Sequence, residues 1–326
     1  MSDNLSKRKI WNYQPAELVP YNPLFSWPPR IGPSFNWMVR RWVSISRFVM
    51  FIALGFIIQH YLTPSYEVMK ELSLDWVLSV FLRNTALLFL IAGSLHLYLH
   101  SYKVQGDKFK FLKREMDTNN KIFKFNNQVY DNIFWSVVSG VTVWTIYEVS
   151  YLTLVARGVV ATAPLADHPF HFFAWILGFP LIRGAHFYSI HRLLHHPFLY
   201  KHVHITHHRN VNTGPWSGIS MHPIENVIYQ SSPLIHFLVP SDPIIFTIHL
   251  ILVTLNPAFT HSGFEKIVKK DTKILDSADF HHQLHHRYFD CNYGNMDVPL
   301  DVWFGTDHDG SEAATMRLRD RKRKRS

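Results

Sequence analysis

The chain has 326 residues, 33 Lys/Arg against 24 Asp/Glu, and is 47% hydrophobic, 15% aromatic and 17% charged. That apolar share excludes intrinsic disorder, and a single cysteine, Cys291, excludes a disulfide scaffold and cysteine-ligated zinc or iron–sulfur chemistry. Seven of the basic residues fall in 316–326, so the net charge of +9 reads as a basic tail and not as a nucleic-acid surface.

Residues 1–42 hold six prolines and Trp11, Trp27, Trp37 and Trp42. The prolines argue against a long helix, and the tryptophans suit the headgroup level of a bilayer. This basic, proline-rich arm precedes the first apolar span and does not read as a cleavable signal peptide. Four apolar stretches follow, at 43–62, 77–99, 133–155 and 170–190. Each is long enough to cross a hydrocarbon core of about 30 Å as a helix. The second contains Arg83 and Asn84, and the fourth contains Arg183 and His186. Six Lys/Arg precede the first span, one lies in 63–76, seven lie in 101–130 and none in 158–169. By the positive-inside rule both termini are cytoplasmic. A further apolar stretch, 227–260, carries Pro233, Pro240, Pro243 and Pro257 with Ser241-Asp242 at its middle. It reads as two short helices that dip into the bilayer and return, with a tight crossing pair as the alternative; either keeps the C-terminus on the same side.

Histidine is the anomaly. Twelve of the 22 lie in 186–208 and 281–286. His191 and His195 are four apart; His204, His207 and His208 form H-x-x-H-H, and His282, His285 and His286 repeat it. On helices these offsets put each set on one stripe. Eight imidazoles suit two metal ions, since a closed structural zinc takes four. Neutral imidazole suits Zn, Cu, Fe or Ni. His60, His168, His171, His236, His249 and His308 read as ordinary surface or core residues. His96 and His100 read as packing or interfacial, His196 and His281 lie off the stripes, and His186 points away from His191.

The run HRLLHHPFLYKHVHITHH, then HPIE at 222–225, HSG at 261–263, HHQLHHRYFDCNYG at 281–294 and FGT at 304–306, resembles the sterol desaturase/fatty acid hydroxylase superfamily. The resemblance covers about 183–306. It implies a di-iron centre held by histidines and O2-dependent attack on a lipid C–H bond. Carried over residue by residue, the metal ligands are His191 and His195, then His204, His207 and His208, then His282, His285 and His286. His222 of HPIE and His261 of HSG match two further family histidines. No catalytic residue beyond the metal ligands is indicated. The family's Trp-Asp before FGT is Leu300-Asp301 here, which bears on local packing. The third box is most similar to sterol C-5 desaturases. The three-residue gap in the first box fits sterol desaturases and methyl oxidases better than fatty acid 2-hydroxylases. Asn292-Tyr293-Gly294 is expected to form a turn that orients the third box.

The expected fold is an all-α, multi-pass membrane protein with a cytoplasmic histidine-rich cap. Its parts are an interfacial arm (1–42), transmembrane helices (43–182), a catalytic domain (183–306) and a basic tail (307–326). The expected activity is hydroxylation or desaturation of a sterol-like, sphingoid or fatty-acyl lipid with two Fe ions and O2. No HPGG haem-binding segment is present, so a separate cytochrome b5/reductase- or ferredoxin-type donor is expected, with no nucleic-acid partner. The membrane is that of the endoplasmic reticulum in a eukaryote, or the inner membrane in a bacterium. The alternative is a histidine-rich metal store or transporter. Lys322 and Lys324 have the spacing of a dilysine retrieval signal, against a plain polybasic tail as the alternative.

Overall fold

The computed structural model describes residues 11–323 apart from 17, 18, 20, 44 and 45; Lys324, and with it the dilysine reading, lies outside the described residues. Contrary to the expectation for a proline-rich arm, α1 (Ile31–Trp42) is a 12-residue helix. Pro28 and Pro29 precede it and Pro33 sits in its first turn, where a missing N–H breaks no helix bond. It leaves Ile31, Phe35 and Met38 exposed on its surface. Ser46 then caps α2 (Arg47–Tyr61) by accepting the Val49 N–H.

α3 (Leu74–Ser101) and α4 (Gln128–Ala156) follow as long apolar helices. Both widen into π turns, at Phe89–Gly93, Leu97–Ser101 and Ser136–Val141. The two polar residues that interrupt the second span find partners on the next one. Arg83 Nη2 donates to Glu148 Oε1 at 2.5 Å and Asn84 Nδ2 to Glu148 Oε2 at 3.0 Å, so the charge inside the apolar layer is paired.

α5 (Pro169–Leu194) runs 26 residues through Pro180. Four stretches are long and apolar enough to cross a membrane: Ile31–Tyr61, α3, α4 and Pro243–Thr260. The expected fourth span is not among them, because Arg183, His171, His186 and the prolines dilute its apolar character. Phe170, Phe173, Leu177 and Leu181 nevertheless form an exposed stripe at three- and four-residue spacing along α5. Beyond α5 come α6 (Ile205–His208), entered through a π turn at Tyr200–His204, and α7 (Pro223–Tyr229).

The chain does turn at Ser241-Asp242, where the Asp242 carboxylate accepts the N–H groups of Ile244 and Leu165. The second arm is not a short dip, however. α8 (Pro243–Thr260) is 18 residues long and almost wholly buried within the protein. α2 lies so close to it that a Cβ on Gly55 would fall 2.4 Å from Ile248 Cγ1. Tyr151 of α4 stacks on Phe246 at 3.8 Å. A hairpin absent from the all-α expectation, β1 (Lys266–Lys269) and β2 (Thr272–Asp276), turns through Lys270 and Asp271, both with positive φ. α9 (Phe280–Tyr288) carries the third box, and α10 (Glu312–Arg323) gives the basic tail a helical start.

Candidate metal centre

Nine imidazoles converge in two groups. His191, His195, His204, His208 and His285 form one; His207, His261, His282 and His286 form the other. Within each group the ligand atoms lie within 4.8 Å of one another, and His195 alone is half-buried. The expected single stripe per box is corrected here. Successive residues on a helix are about 100° apart, so His207 and His208 point to different groups, as do His285 and His286. Each H-x-x-H-H box therefore serves both.

The ring protonation follows from what stands behind the rings. A carbonyl oxygen can only accept, so the Nδ1 of His191 donates to Tyr293 O (2.7 Å), that of His285 to Cys291 O (2.6 Å) and that of His261 to Pro257 O (3.0 Å). His204 Nδ1 meets Glu225 Oε1 at 2.6 Å. Burial keeps the rings neutral: it pushes His191 and His261 down to about 4 and His195 to about 2. A neutral ring with its proton on Nδ1 presents a bare lone pair at Nε2. Those Nε2 atoms crowd one another. His261, His282 and His286 form a closed triangle with edges of 3.1, 3.1 and 3.2 Å. His208 Nε2 lies 3.1 Å from His195 Nε2 and 3.0 Å from His285 Nε2.

Where both rings carry their proton on Nδ1, the facing lone pairs repel unless a cation lies between them. Two nitrogens each about 2.1 Å from one cation lie about 3.0 Å apart at a right angle and about 3.4 Å apart at the tetrahedral angle. The observed edges fall in that interval. The donor set thus fits a metal ion in each group, and all-imidazole donors select a transition metal over calcium or magnesium.

Three parts of the fold fix these rings. α5 delivers His191 and His195 from its last turn. The polar start of α4 anchors the second box: Gln128 and Asn132 both donate to Asn210 Oδ1, at 3.0 and 2.9 Å, and Asp131 pairs with Arg209. The third anchor is the turn after α9. Asp301 accepts the N–H groups of Tyr293 (2.8 Å) and Gly294 (2.7 Å) and the hydroxyl of Thr306 (2.7 Å), holding the carbonyls that receive His191 and His285. Leu300 in place of the family's tryptophan leaves Asp301 in position.

His222 is not brought into either group. Its Nδ1 accepts the Ile224 N–H and caps α7, so its ring turns toward its own helix. Glu225, three residues on, is the residue of HPIE that reaches the site, and the sequence reading passed over it. Burial pushes its carboxyl up. His236 and His249 form a satisfied buried chain with Ser241 and Ser232. His168 is exposed, and His100 packs on Ser262 O at 3.0 Å. A cavity of about 700 Å³ meets the histidines of both groups, among them His191, His204, His261 and His282. Phe187, Ile190, Leu194, Met221, Leu252 and Val253 give it apolar walls.

Residues 175–306 match the fatty acid hydroxylase family. Among similar proteins, a Δ7-sterol 5(6)-desaturase of Gibberella zeae is 34% identical over 121 residues, 36% of this chain and 37% of that protein. A second Δ7-sterol 5(6)-desaturase, of Aspergillus fumigatus, is 31% identical over 157 residues, 41% of this chain and 48% of that protein. The human fatty acid hydroxylase domain-containing protein 2 is 35% identical over 148 residues, 42% and 40% of the two chains. The chain thus spans less than half the length of these curated relatives. No solved structure matches it.

Proposed function

We propose that this chain, whose residues 175–306 match the fatty acid hydroxylase family, is a membrane-bound non-haem di-iron oxidoreductase of the sterol desaturase/fatty acid hydroxylase superfamily that uses O2 to hydroxylate or desaturate a lipid. The observation that carries this reading is the pair of histidine groups at the wall of one cavity that also has an apolar face. His191, His195, His204, His208 and His285 would hold one iron, and His207, His261, His282 and His286 the other. The chemistry such a pair supplies when bound is activation of O2 toward an unactivated C–H bond, which no side chain here provides.

The protein's part is positional. Neutral imidazoles add no negative charge to the centre, which keeps it electrophilic. Glu225 and the carbonyls of Tyr293, Cys291 and Pro257 hold four rings in the ligating tautomer. The apolar walls receive the lipid and keep bulk water from the target carbon. Similarity to Δ7-sterol 5(6)-desaturases supports a sterol-like or sphingoid substrate. In this reading 183–306 is the catalytic domain and faces the cytoplasm with both termini. The exposed stripe on α5 adds that helix to the membrane-embedded set. Electrons come from a separate cytochrome b5/reductase- or ferredoxin-type donor. The membrane is the endoplasmic reticulum or the bacterial inner membrane, according to the host.

The test is lipid mass spectrometry of cells with and without the gene, paired with metal analysis of the purified protein. Two irons per chain and an O2-dependent change of about +16 or −2 mass units on one lipid class are expected. Many weakly held ions with no lipid change would instead identify a metal store.

A further inference from the structure

The cavity that meets the histidines is also lined by the exposed Arg40 and by three partly buried guanidinium groups, those of Arg41, Arg47 and Arg183. Two of them share one carboxylate: Arg41 Nη1 lies 2.8 Å from Asp297 Oδ1 and Arg183 Nη2 lies 2.9 Å from Asp297 Oδ2. The third is left over. Among the described residues Arg47 forms no ion pair, and its Nη1 is buried with no hydrogen-bond partner. Its recorded contact is the ring of Phe259, at 5.9 Å. Three further carboxylates line the cavity, of which Glu225 faces His204. Asp276 is taken by Lys273 Nζ at 2.9 Å, and Asp279 attracts Arg47 and Arg41 electrostatically but makes no ion pair with either among the described residues.

A buried guanidinium N–H without an acceptor costs several kcal/mol of lost hydration. Arg47 is also the first residue of α2, a 15-residue helix whose N-terminal N–H groups add positive potential at the same place. The cap side chain, Ser46, is already spent on Val49. A neutral hydroxyl could accept one of the free N–H bonds. An oxyanion accepts two in the planar fork of the guanidinium and also cancels the charge. Phe187, Ile190, Leu252 and Val253 form an apolar part of the same wall, beside the histidine groups, which a small free anion would leave uncovered. An amphiphile satisfies both parts.

We propose that the lipid bound in this cavity carries an anionic end, a carboxylate or a phosphate or sulfate monoester, and that Arg47 binds it. This rests on the reading of the cavity as the lipid site and narrows its substrate class. The charged end and the reacting carbon then occupy one cavity, and the distance between them selects the carbon presented to the histidine groups.

The test uses the full-length, iron-loaded protein in neutral detergent. Calorimetric titration compares dodecyl phosphate, dodecanoate, dodecanol and inorganic phosphate. The two charged amphiphiles are expected to bind about ten-fold or more tightly than dodecanol, the gain of a charge-assisted hydrogen bond. In Arg47→Gln that preference is expected to vanish while dodecanol affinity and iron content hold. Arg47→Lys is expected to retain part of it. Equal binding of dodecanol and dodecyl phosphate to the unaltered protein overturns the proposal without any variant. So does a preference that survives in Arg47→Gln, or inorganic phosphate binding as tightly as dodecyl phosphate. Lost preference with intact O2-dependent lipid oxidation removes the anionic end and leaves the oxygenase. Absent oxidation with the preference intact removes the oxygenase and leaves the binding site.

Discussion

In the group of His191, His195, His204, His208 and His285, three rings are held from behind, by Tyr293 O, Glu225 and Cys291 O. In the group of His207, His261, His282 and His286, the anchor is the bond from His261 to Pro257 O, and the buried Nδ1 atoms of His207 and His286 have no hydrogen-bond partner, as is the case for His208 alone in the first group. The same two short helices, α6 and α9, feed both. One set of lone pairs is thus oriented before any ion arrives, and the other is oriented mainly by packing and by the ion itself. Ring orientation lowers the cost of binding, so the two groups should differ in how firmly they keep a metal.

The largest expected effect comes from removing a ligand. His285→Ala and His207→Ala should each lower lipid oxidation by about 100-fold or more, since one under-coordinated ion disables the pair. Exposed His168→Ala should be silent in the same assay. Timed exposure to a chelator separates the groups: the unaltered protein should lose one ion quickly and one slowly. His207→Ala should lack the fast phase and His285→Ala should retain it. A fast phase that survives in His207→Ala would break the comparison. Glu225→Ala comes next, weakening metal retention by about 10- to 100-fold through His204. Glu225→Gln should recover part of that loss, because its oxygen still accepts the Nδ1 proton. Metal content unmoved by either change would remove Glu225 from the site. The smallest effect is that of Asp301→Ala. It should cost about 1–3 kcal/mol in a denaturation midpoint by freeing two buried N–H groups, and should speed loss of the slow ion. A change in midpoint with no change in metal release would make Asp301 a packing residue only.

The three boxes were legible because helical offsets of three and four are a local property of the chain. The sorting of their rings was not. Whether His207 or His208 faces a given group depends on how α6 meets α9, which no spacing states. Glu225 escaped because its partner, His204, lies 21 residues away, while the histidine beside it in HPIE drew attention and turned out to cap a helix. The hairpin at Lys266–Asp276 carries adjacent apolar pairs, Ile267-Val268 and Ile274-Leu275, in place of strand alternation, and its turn is Lys-Asp where a glycine would have signalled positive φ. The long apolar helices were read from length and hydropathy alone. α8 was read as a dip because Pro243 and Pro257 looked like breaks. Pro243 instead starts the helix and Pro257 starts its final turn.

Cys291 holds His285 through its backbone oxygen, while its own thiol is buried, with burial pushing the thiol's pKa up. In its resting arrangement that thiol is shielded and mostly protonated, and the chain has no other cysteine. A thiol-directed reagent can therefore react only when the turn behind the third box opens, and the reaction carries no background from elsewhere. The rate of that reaction is a clock for local opening at the metal centre. It can be read in the membrane, without purification and without turnover, and a bound ion should slow it.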